Sequence, residues 1–220
     1  MQDKFSINCH KCQRLVNFLN EVKVNYPNYH ARPVPDFGDI SPKLLIIGLA
    51  PGMHGANRTG RPFTGDFAGV LLYQTLYKYG FSNHAESISM NDGLELIGCR
   101  ITNAVKCLPP GNKPESNEIK NCNGYLSGEI AGFMAGRGVA LLALGTVAHR
   151  AVLMALGGLR LKDYPFGHGF IHQLPNNLTL YDSYHCSRYN TQTKRLTTDM
   201  FEQVFEIIST NLSLQVKTKG

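Results

Sequence analysis

The chain has 220 residues, 43% hydrophobic and 17% charged, with ten Tyr and eleven Phe; that apolar share suffices for a core and excludes a disordered or collagen-like protein. No run of eighteen apolar residues occurs, which excludes a transmembrane helix, and the opening MQDKFSINCHKC has no apolar stretch of the kind a secretory leader needs. Lys and Arg outnumber Asp and Glu by 22 to 16, a net charge of +6 with a pI near 9.0, compatible with a polyanionic partner but shared by many proteins that bind none.

Without a leader a cytoplasmic setting is expected, and in that reducing compartment the six cysteines read as metal ligands or core thiols rather than disulfides. No internal repeat, low-complexity tract or long linker interrupts the chain, so one domain over residues 1–220 is expected. From Gln13 to Val24 the apolar residues Leu15, Val16, Phe18, Leu19 and Val22 recur at helical spacing, and Pro27, Pro33 and Pro35 end that element. Lys43–Leu49 (KLLIIGL) is a continuous apolar run, as in a parallel strand buried on both faces. A long glycine-rich loop, Ala50–Gly65, follows it.

Asp66–Tyr79 reads as a helix with Asp66 near its start and Gly80 behind it. Arg100–Val105 is a second strand before a Pro-Pro-Gly turn, and Ser116–Ile130 a helix opening on a weak capping pattern at Ser116. Val139–Leu144 and Leu178–Tyr181 give the third and fourth strands, with a helix at Thr146–Leu156 between them. Leu196–Leu212 closes the chain as a helix, and Val216–Gly220 is expected to fray. Alternating strands and helices predict an α/β fold with a four-stranded, mostly parallel sheet and helices on both faces. Ligands bind such sheets outside the carboxyl ends of the strands, which is where the unusual residues gather.

Cys9 and Cys12 form a CxxC, and Cys107 and Cys122 follow far downstream. Four thiolates can hold zinc or a [4Fe–4S] cluster; unrelated buried thiols are the alternative. In the loop Gly48–Asp66, glycines allow a ligand to approach the backbone, and no Gly-Lys-Ser/Thr makes it a phosphate loop. Phe63 is a candidate stacking platform for a planar ring. Asp66, the loop's one carboxylate, suits a helix N-cap and a catalytic carboxylate equally. After the fourth strand comes SYHCSRYN: His185 is a candidate general acid or electrostatic group, and Arg188, Asn190 and Arg195 sit beside Tyr189 in a stretch suited to a nucleic-acid backbone or simply to solvent.

Taken together, GLAPG, HGANRTGRPFTGD, TNAVKC, ALGTVAH and SYHCSRYNT resemble the uracil-DNA glycosylase superfamily, and within it the iron–sulfur family 5 enzymes of the UDGb type, from Cys9 to about Phe205. The resemblance implies a three-layer α/β/α sandwich and a [4Fe–4S] cluster on Cys9, Cys12, Cys107 and Cys122. It implies excision of uracil from DNA, and of other deaminated bases such as hypoxanthine or xanthine, by flipping the base into a pocket. The family's stacking aromatic falls on Phe63, its first motif on Gly48 to Gly52 with Ala50 at the wall, and its base-reading amide on Asn103. Leu49 and Ala50 are apolar where many members carry an acidic or amide residue, which gives the water-handling role to Asp66. His185 matches the second-motif histidine that favours the departing base, and Cys186 stands where a proline is usual. Such a protein acts on DNA as a monomer. A metal-stabilised DNA-binding module without catalysis is the other class that shares the cysteines and the charge.

Overall fold

The structure is a computed structural model that describes residues 4–217, with side chains to residue 212. Its six strands are β1 (Phe37–Gly38), β2 (Leu44–Gly48), β3 (Cys99–Asn103), β4 (Ala140–Leu144), β5 (Ile171–Leu174) and β6 (Leu178–Ser183). They form one sheet in the order β1-β3-β2-β4-β6-β5. The inner four are the four expected from sequence, and every pairing among them is parallel. The expected count of four is corrected to six, because an antiparallel strand flanks each edge: β1 on β3 and β5 on β6. An edge strand needs no apolar run. β1 is two residues long, and β5 (Ile171-His172-Gln173-Leu174) is half exposed.

The helices are α1 (Gln13–Asn25), α2 (Ala56–Thr59), α3 (Phe67–Lys78), α4 (Ser116–Ala135), α5 (Thr146–Ala155), α6 (Arg188–Gln192) and α7 (Thr198–Lys217). Side-chain alternation along the strands divides the core. Leu44, Ile46, Ile101 and Leu142 pack with Leu72 and Leu76 of α3 and Phe201 and Phe205 of α7. Leu45, Ile47, Leu141 and Leu180 pack with Leu126 and Ile130 of α4 and Val152 of α5. The result is the expected three-layer α/β/α sandwich. A third cluster joins Leu15, Leu19 and Val22 of α1 to Cys107, Cys122 and Tyr125. No helix among the described residues is long and apolar enough to cross a membrane.

Local chemistry shifts several expected boundaries. α4 begins one residue past Glu115, whose side chain and that of Glu118 cap each other's backbone N–H groups; the capping residue is this acid, not Ser116. α4 also continues five residues past Ile130. The glycine-rich loop contains the single turn α2, and the SYHCSRYN stretch contains α6, capped by Ser187. α7 runs through Lys217, so the expected fraying at Val216 and Lys217 meets helical backbone, and residues 218–220 lie outside the described residues.

Candidate active site

Parallel register sets Gly48, the last residue of β2, opposite Asn103, the last of β3. The carboxyl ends of the inner strands open into a cleft of about 840 Å³. Its lining includes Ala50, Gly52, Phe63, Asp66, Asn103 and His185, so five of the six residues expected to read the base or carry the chemistry face one space. Gly48 is not in the lining; it lies beneath it. A Cβ there would collide with Asn103 Oδ1 and come within 2.7 Å of the Phe63 ring. Only a bare backbone lets the amide and the ring meet over the end of β2.

Phe63 is 6% exposed and sits at φ 53°, a left-handed conformation that costs a non-glycine residue about 1–3 kcal/mol. The neighbouring contacts impose it. Arg61, 2% exposed, forks onto Asp92 at 2.9 and 2.6 Å, with further bonds to Thr64 Oγ1 and Ser87 Oγ at 2.9 and 2.7 Å. Tyr73 Oη of α3 donates to the Pro62 carbonyl at 2.9 Å. Burial raises the Asp92 carboxyl, but the Arg61 fork and three backbone N–H groups outweigh it and hold the group well below the usual carboxylate range.

Asp66 is both cap and cleft residue. Oδ1 accepts from Gly69 N at 2.9 Å and caps α3, an interaction worth about 1 kcal/mol. Oδ2 lies over the loop backbone: a Cβ on Gly55 would strike it, and one on Gly52 would stand 3.3 Å away. Burial raises the Asp66 pKa above its ordinary value, with the N–H groups of Gly69 and Ala68 and the Arg58 charge pulling the other way. His185 follows β6, and its ring stacks at 27° to Phe63 with centroids 5.8 Å apart. Desolvation lowers its pKa to about 4, so the imidazole is neutral near pH 7. Its Nδ1 is buried without a hydrogen-bond partner, and so is Asn103 Oδ1. Buried polar atoms are almost always paired, and two orphans on one cleft mark where a polar ligand belongs.

The expected backbone-binding residues Arg188, Asn190 and Arg195 also line the cleft. Arg188 and Arg195 are exposed, the first over the Phe67 ring at 5.8 Å and the second over the Tyr184 ring at 4.7 Å. Asn190 has a second duty: its Nδ2 donates to the His185 carbonyl at 2.8 Å and fixes that loop. Three aromatic lining residues, Phe67, Phe166 and Tyr184, escaped the sequence reading. Tyr184 sits next to His185 and could have been marked from that alone, whereas Phe166 lies in an irregular stretch with no pattern to signal it.

The model of the uracil DNA glycosylase superfamily matches residues 35–209. The chain belongs to this superfamily. It is 45% identical over 201 residues to the type-5 uracil-DNA glycosylase of Thermus thermophilus, covering 89% of this chain and 90% of that one. It is 41% identical over 202 residues to the type-5 uracil-DNA glycosylase of Pyrobaculum aerophilum, covering 90% and 86%. Against a type-4 uracil-DNA glycosylase of the latter organism the identity is 33% over 130 residues, or 59% of this chain.

In this superfamily member Cys9, Cys12, Cys107 and Cys122 line one small cavity with Leu15, Val16 and Tyr125. Sequence had left open four unrelated core thiols; the fold brings the four together. Asn121 Nδ2 donates to Cys12 Sγ at 3.5 Å, and the Lys106 backbone N–H donates to Cys122 Sγ at 3.2 Å, the kind of support that ligating sulfurs receive. Burial is the leading reason that the Cys12, Cys107 and Cys122 thiols are all raised, Cys122 to about 11; a bound metal would reverse this by favouring the thiolates. The remaining two cysteines, Cys99 and Cys186, are fully buried in the core beside the sheet.

Proposed function

We propose that this protein excises uracil from DNA by hydrolysing the N-glycosidic bond, leaving an abasic site and intact strands. The observation that carries the reading is the pair of orphaned buried atoms, Asn103 Oδ1 and His185 Nδ1, beside a buried aromatic ring and a carboxylate with one oxygen unused by its helix. Asn103 Oδ1 accepts from the ring N–H of the flipped base, and the base stacks on Phe63. Asp66 orients a water toward C1′, and its charge favours the cationic sugar that forms as the C1′–N1 bond breaks. The water's hydroxyl joins C1′; its proton balances the departing base. The neutral His185 imidazole and nearby amides favour the charge that collects on the base before that proton arrives. The small residues Ala50 and Gly52 leave room for hypoxanthine or xanthine. Arg188 and Arg195 hold the DNA backbone at the cleft mouth, with Asn190 steadying the loop between them.

In the same reading Cys9, Cys12, Cys107 and Cys122 carry a [4Fe–4S] cluster. The four thiols line one cavity, and an all-thiolate set of four is what a cubane iron–sulfur cluster takes. Its role is structural, since hydrolysis moves no electrons. One domain spans residues 1–220, and the protein works as a monomer in the cytosol.

The test is base release from matched duplexes carrying U:G, U:A or I:T, with alkali to reveal abasic sites. Release that Asp66→Ala slows by roughly 10²–10³-fold, from protein with stoichiometric iron and sulfide, is the expected result. Tight uracil-DNA binding without release would favour a binding module, and stoichiometric zinc in place of iron would overturn the cluster.

A further inference from the structure

The ALGTVAH stretch places His149 one turn inside α5, and the site described above makes no use of it. His149 is fully buried, as is Asp182 of β6. Nδ1 lies 2.8 Å from Asp182 Oδ1, and Nε2 lies 2.9 Å from the Tyr164 carbonyl oxygen. Each ring nitrogen therefore faces an oxygen at hydrogen-bond distance, and the ring is held from both sides. His172 Nε2 adds a longer contact of 3.3 Å to Asp182 Oδ2. These three side chains are close enough to surround an ion, but both nitrogens of His149 already meet an acceptor at hydrogen-bond distance, and protons satisfy the geometry without a metal.

What this ring holds is the irregular segment between α5 and β5, residues 156–170. The segment first bonds back to α5 carbonyls through the N–H groups of residues 156–159, and further on it is anchored by His149 of α5, by β6 and by Tyr184. Tyr164 O receives His149; Gly169 N donates to Asp182 O at 2.8 Å, and Asp182 N to Phe170 O at 3.0 Å. His168 Nδ1 accepts from Tyr184 N at 3.2 Å. The segment delivers Phe166 to the cleft, where its ring meets His149 edge-on at 5.6 Å and Tyr184 at 6.3 Å. Tyr184 in turn stacks on His168 at 5.1 Å and lies beneath the Arg195 guanidinium at 4.7 Å.

We propose that His149, bridging Asp182 and the Tyr164 carbonyl, is a positioning residue that sets Phe166 and, through it, Tyr184 and Arg195 against the bound DNA. It touches no substrate. Its loss therefore weakens substrate binding rather than the bond-breaking step. The inference rests on the glycosylase reading for its substrate.

The experiment compares the wild type with His149→Gln, Phe166→Leu and the double variant, as cluster-loaded protein, on one uracil-containing duplex. The expected result is a KM raised roughly tenfold by His149→Gln with kcat nearly unchanged. Phe166→Leu should then add little to His149→Gln, because both remove one placement. Nitrogen-15 spectra of the wild type should show both His149 nitrogens engaged in hydrogen bonds, which a merely space-filling ring would not require. A His149 nitrogen without a hydrogen bond, a fully additive double variant, a loss confined to kcat, or one equivalent of cobalt(II) bound and then lost in His172→Gln would each overturn the proposal. If His149→Gln does not fold, the nitrogen spectra and the KM of Phe166→Leu decide it. If the wild type releases no base at all, the glycosylase reading fails by itself, and the same variants are compared by their affinity for the duplex.

Discussion

Two polar clusters flank Phe63, and they are built on opposite rules. Behind the loop, each polar contact of the Arg61 guanidinium ends on an acceptor: Asp92, Thr64 and Ser87. In front of it, Asn103 Oδ1 and His185 Nδ1 end on nothing, although both are buried. The first arrangement is a scaffold, in which every group is satisfied by the protein. The second is incomplete until a ligand supplies the missing partners, and the cost of leaving it so is borne by the rigid loop behind it.

Substitutions can break the contrast on either side. The largest effect is expected on the incomplete side: Asp66→Ala should lower kcat by roughly 10²–10³-fold, measured by single-turnover base release. The same change removes the α3 cap and about 1 kcal/mol of stability, so Asp66→Asn, which can keep the cap, should lose rate with little loss of melting temperature. On the satisfied side, Arg61→Met should cost about 3 kcal/mol in denaturant unfolding, because it strands the Asp92 carboxylate in a largely buried site; an unchanged midpoint would show that the network carries no load. Asn103→Leu keeps the volume of the cleft but offers the base no acceptor. It should reduce discrimination between uracil and cytosine, whose ring N3 carries no hydrogen, by about 10-fold to 100-fold, with stability unchanged or improved, since an orphaned atom is gone.

A further effect concerns pH. In the unfolded chain His185 takes a proton near pH 6.5, whereas in the folded protein burial delays this to about 4. Between those values the unfolded state binds more protons, so this residue lowers stability as pH falls from about 6.5 toward 4. Melting curves of His185→Gln should therefore decline less steeply across that window than those of the parent.

Two inner strands, β2 and β4, were legible because a strand buried on both faces tends to be apolar throughout, as LLIIG and ALLAL are. The edge strands were not. Two residues in β1, and a His and a Gln in β5, carry no periodic signal. Phe63 and Asp66 could be read because an aromatic and a lone carboxylate among glycines are visible locally, whereas Asn103 was marked by the family resemblance alone. The meeting of Cys9 and Cys12 with Cys107 and Cys122 was open from spacing alone, since contacts across about a hundred residues are made by the fold. Likewise His149 sits in an apolar helix pattern, and only its pairing with Asp182, 33 residues on, gives it a task.

The left-handed backbone at Phe63 bears on when the cleft becomes ordered. A flexible loop would have to freeze around each flipped base, and every encounter would carry that entropic charge. Here Arg61, Tyr73 and the bare backbone of Gly48 hold the ring in place before any ligand arrives. The search along DNA is thus made by a finished mould, and the energy of contact with the right base goes into extracting it rather than into shaping the protein.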